Sequence, residues 1–359
     1  MGVARPRGRW APSPTGGMHL GNARTALVAW LSVRSRGGML VWRVEDLDGP
    51  RSVPGRAAEQ ARELAWLGLD WDDGPWRGEL GRSSAAPAEW WDEPWEESPG
   101  PEWWQSRRSA RYAAALRRLE GQGRLFPCAL SRRDLQQIAS APHGSVSGAC
   151  GVSLRAAEYP ADLRPTAVEP GWLERLLADE TAAGEAGDSV RLRVEDEEIC
   201  WHDLLYGRRC ENLAETCGDF VLRRRDGVWS YQLAVVVDDA EQEVDEVVRG
   251  ADLLDSTARQ IWLQRCLGAP TPRYGHVPLL VGNDGEKLNK RDAALELAAL
   301  RRSGVEASAI VGYLACTLGL RPEATPARPT ELIAGFSWQR LRREPAVVPD
   351  DVATRLRHG

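Results

Sequence analysis

Two lysines lie three positions apart in a chain that otherwise carries its positive charge on arginine. The sequence has 46 basic residues, and only Lys287 and Lys290 are lysines. A lysine ammonium is a compact point charge and a guanidinium is a planar fork, so the two are not interchangeable at a phosphate. A biased base composition would explain scarce lysine, but not why the exceptions fall together. Segment 285–291 therefore predicts a loop that neutralises phosphate charge, and the alternative is a solvated charged turn.

A second candidate phosphate-binding segment lies near the start of the chain. Residues 12–17 hold two prolines and two glycines, between a strand end at 9–13 and a helix that begins near Asn22. Glycines let a ligand approach the backbone, and a helix N-terminus offers N–H groups and a positive dipole to phosphate. His19 adds a hydrogen-bond donor, although a single histidine is more often structural.

The elements around these loops alternate between strands and helices. Helices are predicted at 22–34, 56–68, 109–122 and 255–267, and strands at 39–44, 219–223, 229–237 and 276–281. This order is typical of an α/β fold with a Rossmann-type parallel sheet, which binds ligands at the carboxyl ends of its strands. On this interpretation Asp238 and Asp239 follow a strand at that edge, and residues 292–359 are mainly helical.

The composition limits the class of protein. The chain has 359 residues, 43% of them hydrophobic, and a net charge of -6, which allows sizeable cores and argues against a general nucleic-acid coat. No apolar run reaches the ~18 residues that a membrane span needs, and no apolar stretch follows the N-terminal arginines. A cytoplasmic protein without membrane contact is expected. The seven cysteines show no framework pattern and are expected to be reduced thiols.

Residues 74–106 interrupt the alternation of strands and helices. They are rich in Gly, Pro, Glu and Ser, and they contain Trp76, Trp90, Trp91, Trp95, Trp103 and Trp104. We interpret them as an inserted loop whose tryptophans pack on the body of the protein, rather than stack on bases.

Several motifs resemble the class I aminoacyl-tRNA synthetases. The segment from His19 to Asn22 resembles their "HIGH" signature, and 287–291 resembles their "KMSKS" loop. Residues 9–16 and 43–48 are similar to segments of the glutamyl and glutaminyl enzymes. The stretches 218–225, 231–239 and 248–257 are closer to the truncated paralogues, the glutamyl-Q tRNA(Asp) synthetases. The resemblance covers nearly the whole chain except about 75–104.

The resemblance implies a division of the chain into four parts. The first half of the catalytic domain is expected at 1–112, with the tryptophan-rich loop at about 75–104. An inserted α/β subdomain similar to an acceptor-binding domain is expected at 113–228, and the second half of the catalytic domain at 229–285. The lysine loop and a helical stem-contact region would occupy 286–359.

The resemblance also implies an activity. The paralogues use ATP and Mg²⁺ to activate L-glutamate and then transfer it to queuosine in the anticodon loop of tRNA(Asp). Residues 292–359 are too few for a stem-contact region and a full anticodon-binding domain, which favours the paralogue. A monomer is expected. Two alternatives stay open, a short glutamyl-tRNA synthetase that charges tRNA(Glu) and a regulatory paralogue that binds nucleotide without transfer.

Site residues follow from the resemblance by matched position. Glutamate would be bound by Arg9, Ala11, Ser13, Glu45, Tyr231 and Arg249. ATP would be bound by Pro12, His19, Gly21, Asn22, Lys287, Leu288, Asn289, Lys290 and Arg291. The catalytic groups among them would be His19, Asn22, Lys287 and Lys290. Asn289 stands where the family usually has serine, and its larger amide is expected to slow closure of the loop.

The zinc site of the family is degenerate in this sequence. Cys128 and Cys150 match two cysteine ligands, but Leu130 replaces another cysteine and Val146 the tyrosine. A structural zinc site needs four nitrogen or sulfur ligands, and His143 would supply only a third. Zinc binding is therefore not expected.

The lysine pair generates a prediction for Lys290. Lys290→Arg conserves the charge but changes its shape, so it should lower kcat for amino-acid activation about a hundredfold and leave the KM for glutamate nearly unchanged. ATP–pyrophosphate exchange with glutamate measures both constants. A variant within about threefold of the wild-type rate would make the lysine pair an accident of composition.

Overall fold

A six-stranded sheet forms the centre of the computed structural model, which describes residues 5–76, 101–130, 134, 159, 163–178, 187–288 and 293–358. The strands are β1 (Arg7–Trp10), β2 (Met39–Trp42), β3 (Leu125–Cys128), β4 (Ser189–Leu192), β5 (Glu198–Asp203), β6 (Gly207–Asn212), β7 (Phe220–Arg223), β8 (Glu246–Gly250), β9 (Arg273–Val277), β10 (Leu280–Val281) and β11 (Ala346–Val347). The central sheet has the order β2-β1-β8-β9-β5-β6, and every neighbouring pair in it is parallel except β5–β6.

Helices cover this sheet and continue into the C-terminal region. They are α1 (Leu20–Arg34), α2 (Arg56–Trp66), α3 (Ser109–Gly121), α4 (Trp172–Ala178), α5 (Leu213–Thr216), α6 (Tyr231–Glu241), α7 (Thr257–Leu267), α8 (Leu297–Arg302), α9 (Ala307–Leu318), α10 (Pro329–Leu332) and α11 (Val352–His358). Among the described residues, no helix has the length and apolar character to cross a membrane.

The strand order reverses direction at β1. Strand β2 lies on one side of β1, and β8, which comes much later in the chain, lies on the other. In an open α/β sheet the carboxyl ends of the strands at such a switch point leave a crevice where ligands bind. The Rossmann-type parallel sheet predicted from the sequence is confirmed.

Two smaller sheets complete the strand structure. Strands β3, β4 and β7 form an antiparallel sheet, and β10 pairs with β11. The hairpin of β5 and β6, from residues 198–212, joins the central sheet through the pair Asp203–Tyr274.

A buried ion cluster joins the first strands to helices that are distant in sequence. Arg43, which follows β2 and has a fully buried side chain, lies 2.8 Å from the Asp239 carboxylate and 3.8 Å from that of Asp238. Arg108 donates to Asp238 at 2.6 Å, and Arg9 lies 3.6 Å from Asp239. Helix α6 supplies both aspartates, so their charges tie it to β1, β2 and the start of α3.

The same region corrects one expectation from the sequence. Residues 229–237 were expected to be a strand, but the chain forms helix α6 from Tyr231. The Ser230 hydroxyl caps this helix by accepting from the Leu233 amide at 3.2 Å. Its run of valines is buried on several sides, so apolar periodicity is hidden and tertiary packing overrides β-propensity. Asp238 and Asp239 are therefore helical and buried, not at a strand's carboxyl end.

The expectation that all cysteines are thiols is also wrong for one pair. The antiparallel register of β5 and β6 places Cys200 directly opposite Cys210, and the two form a disulfide. Pairing across a hairpin depends on register, which irregular cysteine spacing does not reveal. Among the described residues, Cys128, Cys266 and Cys316 are free thiols.

The described tryptophans of the inserted loop pack in the core. Trp76 lies against Trp42 and Trp104, with ring centroids 6.1 and 6.2 Å apart, and Trp103 joins the same buried cluster. The predicted packing role is confirmed for these three loop tryptophans. Trp90, Trp91 and Trp95 lie outside the described residues.

The ion cluster generates a stability prediction. Asp238→Asn should lower the free energy of unfolding by about 3–5 kcal/mol, because removing one charge leaves buried arginines without compensation. Urea unfolding measures the change. The control is Asp226→Asn, which breaks an exposed ion pair with Arg224 and should cost at most about 1 kcal/mol. A loss of under about 1 kcal/mol for Asp238→Asn would contradict the importance of the cluster.

Candidate active site

A cavity of about 450 Å³ opens at the carboxyl ends of β1 and β8. It brings together twelve of the predicted site residues: Arg9, Ala11, Pro12, Ser13, His19, Gly21, Asn22, Glu45, Tyr231, Arg249, Lys287 and Leu288. These residues come from segments more than 270 positions apart in the chain. Asn289, Lys290 and Arg291 lie outside the described residues.

His19 and Asn22 form the N-terminal cap of helix α1 at the wall of this cavity. The His19 Nδ1 atom accepts from the Gly21 amide at 3.0 Å, and the His19 amide donates to the Asn22 side-chain oxygen at 3.2 Å. Because Nδ1 accepts, a neutral His19 ring carries its proton on Nε2. A Cβ atom at Gly21 would lie 2.8 Å from the His19 ring, so glycine is required for this cap. The predicted catalytic pair therefore has a structural role as well.

Helix α2 supports the candidate phosphate-binding segment at residues 12–17, called the glycine loop below, through two residues that the sequence analysis missed. The Gln60 side-chain amide donates to the carbonyl oxygens of Ser13 and Gly16 at 3.1 and 2.8 Å. The carboxylate of Glu63, which is 0% exposed, accepts from the Met18 amide at 3.0 Å. Gln60 and Glu63 are polar residues on the otherwise apolar face of a predicted helix. That departure from the apolar pattern is the signal by which the sequence could have identified them.

Arg249 lies in the cavity wall with only neutral direct partners. It is 4% exposed, and it donates to His276 Nε2 at 3.0 Å, to the Gln260 side-chain oxygen at 2.6 Å and to the Thr257 hydroxyl at 2.9 Å. The Tyr231 hydroxyl lies 3.5 Å from its Nη1 atom. Among the described residues no carboxylate forms an ion pair with Arg249, so its positive charge is available to an anionic ligand.

Arg9 and Glu45 belong both to the cavity and to the buried ion cluster. Arg9 donates to the Val248 carbonyl at 2.9 Å, and Glu45 lies 3.3 Å from the Arg43 guanidinium. Burial raises the pKa of Glu45, although Arg43 and Arg9 oppose that rise. A ligand ammonium would offset this desolvation by pairing with the carboxylate.

Lys287 reaches the other side of the cavity. Its side chain is 50% exposed, and its ammonium forms an ion pair with Asp252 at 2.5 Å. Asp252 belongs to the 3-10 helix Ala251–Ser256 that follows β8, and it also lines the cavity. The sequence analysis did not identify it. Leu288, next to Lys287, is buried and fixes the start of the loop.

The degenerate zinc region is described only in part. Cys128 ends β3 and packs with Phe126 and Tyr159 in a small buried cluster, with Leu130 at its edge. The sequence analysis placed Val146 at the tyrosine position and did not notice Tyr159. His143, Val146 and Cys150 lie outside the described residues, so the expectation about zinc stays a prediction.

Comparison with known proteins decides the family. The family model for class I tRNA synthetases (E and Q), catalytic domain, matches residues 6–348. The glutamyl-Q tRNA(Asp) synthetase of Symbiobacterium thermophilum is 44% identical over 355 residues, which cover 98% of each chain. The chain belongs to the glutamyl-Q tRNA(Asp) synthetase family. The family member of Nitratidesulfovibrio vulgaris is 41% identical, again over 98% of each chain.

A solved structure agrees with this family fold. The glutamate tRNA ligase of Elizabethkingia meningosepticum, in complex with its amino acid, matches with a TM-score of 0.74 and 24% identity. The match covers 98% of this chain and 68% of that one. This member of the glutamyl-Q tRNA(Asp) synthetase family therefore has the fold of a class I synthetase.

Glu63 beneath the glycine loop generates a pH prediction. Burial raises its pKa to about 7 from 4.5, so the folded chain holds a proton that the unfolded chain has lost between these values. The contribution to stability is present below pH 4.5 and is lost as pH rises through about 7. Glu63→Gln cannot ionise and therefore lacks this pH dependence. From pH 5 to pH 8, the free energy of unfolding of the variant should gain up to about 3 kcal/mol relative to that of the wild type.

Urea unfolding of both proteins at the two pH values measures this gain. Glu323→Gln, at an exposed position far from this helix in the sequence, is the control and should follow the wild type. Equal pH dependence of Glu63→Gln and the wild type would refute the prediction.

Proposed function

We propose that this chain activates L-glutamate with ATP to form glutamyl-adenylate, and then transfers glutamate to queuosine in the anticodon loop of tRNA(Asp). The observation that carries the proposal is the cavity at the switch point of the sheet. It combines the buried cations Arg9 and Arg249, the Glu45 carboxylate and a capped helix N-terminus in a member of the glutamyl-Q tRNA(Asp) synthetase family.

The charges of the cavity suit a dicarboxylic amino acid. Arg249 offers a buried guanidinium with no carboxylate partner among the described residues, and such a fork pairs well with a carboxylate. Arg9 adds a second cation, and Glu45 would bind the α-ammonium. The small side chains of Ala11 and Ser13 would leave space for the adenylate, and Tyr231 would complete the pocket beside Arg249.

The opposite wall suits the triphosphate of ATP. Helix α1 begins at the cavity wall near Gly21, so the positive end of its dipole lies there, and His19 and Asn22 cap this terminus. Pro12 and Leu288 would border the nucleotide. Mg²⁺ would bind together with ATP and would be coordinated by the phosphate oxygens, since proteins bind this ion largely through substrate phosphates and water.

The lysine loop would neutralise the charge that develops on the leaving pyrophosphate. Lys287 is half exposed and held by Asp252, so an incoming triphosphate would compete with that carboxylate for the ammonium. Lys290 and Arg291 would add their charges from the same loop, and Asn289 would supply an amide in place of the usual hydroxyl. The pair Lys287–Asp252 thus represents the resting arrangement.

The remaining parts of the proposal concern the partner and the setting. Queuosine-containing tRNA(Asp) is the proposed acceptor because the relatives that match nearly the full chain carry that name. We further propose that the enzyme is a monomer and acts in the cytoplasm, where tRNA is available.

The central prediction is activation without RNA. The purified protein should exchange pyrophosphate into ATP with glutamate and no tRNA present, since the cavity contains groups for both substrates.

Arg249→Gln should raise the KM for glutamate by about a hundredfold or more, because a neutral side chain replaces the buried cation. Exposed Arg273→Gln is the matched control and should behave as the wild type.

Transfer distinguishes the acceptors. Radiolabelled glutamate should attach to tRNA(Asp) that contains queuosine, and not to tRNA(Asp) without it or to tRNA(Glu). Exchange that appears only after tRNA(Glu) is added would favour an ordinary glutamyl-tRNA synthetase. Exchange without transfer to any tRNA would leave a nucleotide-binding paralogue.

A further inference from the structure

Three polar side chains lie in a row behind the cavity, on neighbouring parallel strands. Asp203 ends β5, His276 lies in β9 and Arg249 lies in β8. The register sets Arg249 opposite His276, and Asp203 opposite Tyr274. Asp203 and His276 are 0% exposed, so neither can reach a ligand directly through solvent. Both residues therefore act on a ligand through Arg249.

The hydrogen bonds in the row fix the proton positions. Arg249 donates its Nε–H to His276 Nε2 at 3.0 Å, because a guanidinium has no acceptor. His276 Nε2 must therefore be unprotonated, and the ring carries its proton on Nδ1. That proton is donated to the Asp203 carboxylate at 2.6 Å. The other Asp203 oxygen accepts from the amides of Leu205 and Tyr206 at 3.0 and 2.9 Å, which holds the carboxylate in place.

These contacts determine which donors Arg249 presents to the cavity. A guanidinium has five N–H groups in one plane. His276 takes the one on Nε, Gln260 takes one on Nη1 and Thr257 takes one on Nη2. The second N–H on Nη1 makes only a long contact of 3.5 Å with the Tyr231 hydroxyl, which a ligand oxygen could replace, and one N–H remains on Nη2. These donors are fixed in direction because the Nε side is anchored.

A fixed pair of donors distinguishes a carboxylate from an amide. A carboxylate offers only acceptors to the guanidinium, whereas a carboxamide brings two N–H donors of its own. An anchored guanidinium that presents both donors can give one to the amide oxygen, but its other donor then faces the N–H group of the amide. If the anchor is lost, the side chain can adjust to either ligand, and discrimination falls.

The neutral state of His276 is consistent with its surroundings. Asp203 from β5 faces one side of the ring, and Arg249 from β8 faces the other, with Arg9 of β1 also contributing positive charge. The Tyr274 ring from its own strand stacks beside it. Burial lowers the pKa of His276, and the Asp203 carboxylate opposes this effect. Protonation would place an N–H against the Arg249 N–H.

We infer that Asp203 and His276 are positioning residues that anchor Arg249, and that this anchor makes the cavity selective for glutamate over glutamine. The inference rests on the proposed function, in which Arg249 binds a carboxylate of the amino acid. Neither residue touches the substrate. Their effect is exerted through the direction of the remaining Arg249 donors.

Two substitutions of His276 separate anchoring from packing. His276→Asn is too short to accept from Arg249, and it should raise the KM for glutamate about tenfold or more in pyrophosphate exchange, with a much smaller change in kcat. The preference for glutamate over glutamine, as the ratio of kcat/KM values, should fall by a similar factor. His276→Gln places an oxygen near the position of Nε2 and should restore much of both. Exposed His202→Gln on β5 is the control.

The pH dependence gives a readout that packing would not change. In the wild type the KM for glutamate should rise as pH falls and His276 gains a proton. In His276→Gln this component should be absent, and since Glu45 titrates in both proteins, the difference isolates His276. Equal pH profiles, or an unchanged preference for glutamate in a folded His276→Asn, would overturn the inference.

The protonation state of His276 provides a test that does not need activity. Nitrogen-15 NMR of the histidine side chains at pH 7 should show one neutral ring protonated on Nδ1, whose signals are missing in His276→Gln. A charged ring, or a proton on Nε2, would overturn the inference. If the wild type shows no glutamate-dependent exchange, the proposed function fails, while the NMR result still decides whether His276 accepts from Arg249.

Discussion

The buried ion cluster around Arg43 is the interaction on which the arrangement of the catalytic edge depends. Arg9, Arg43 and Arg108 face Glu45, Asp238 and Asp239 in the interior, so three positive groups meet three negative ones. A buried charge without a partner costs several kcal/mol, so each member constrains the position of the others. The cluster therefore fixes β1, β2, α3 and α6 relative to one another. Arg9 and Glu45 belong to this cluster and also line the cavity. The ion pairs that hold the domain together therefore also form the polar floor of the cavity.

Parallel strands explain how distant segments of the chain form one site. The carboxyl ends of β5, β9, β8 and β1 lie side by side, and they carry Asp203, His276, Arg249 and Arg9 in that spatial order. The order of these residues along the chain is different, because strands that are neighbours in the sheet are separated in the chain by other elements. The row is a property of sheet topology, and no local pattern in the sequence contains it.

The sequence predicted what depends on local patterns. The glycine loop, helix α1 and the lysine segment are each encoded within a few consecutive residues, and the described members of the predicted site line one cavity. Helix α6 could not be predicted in the same way, because a valine-rich run favours a strand until burial on several sides makes a helix better. Gln60, Glu63, Asp252 and His276 were missed because each acts on a residue far away in sequence. The roles of the lining residues and the division into four parts stay predictions.

The ion pair of Lys287 with Asp252 has a consequence for how the protein responds to chemical modification. The chain has only two side-chain amines, and both lie in segment 285–291. A reagent that acylates or carbamylates amines can therefore react only with these two lysines and with the N-terminal amine. Modification of Lys287 would also remove a positive charge at the mouth of the cavity and leave Asp252 unpaired. Labelling of Lys287 would therefore also alter the cavity.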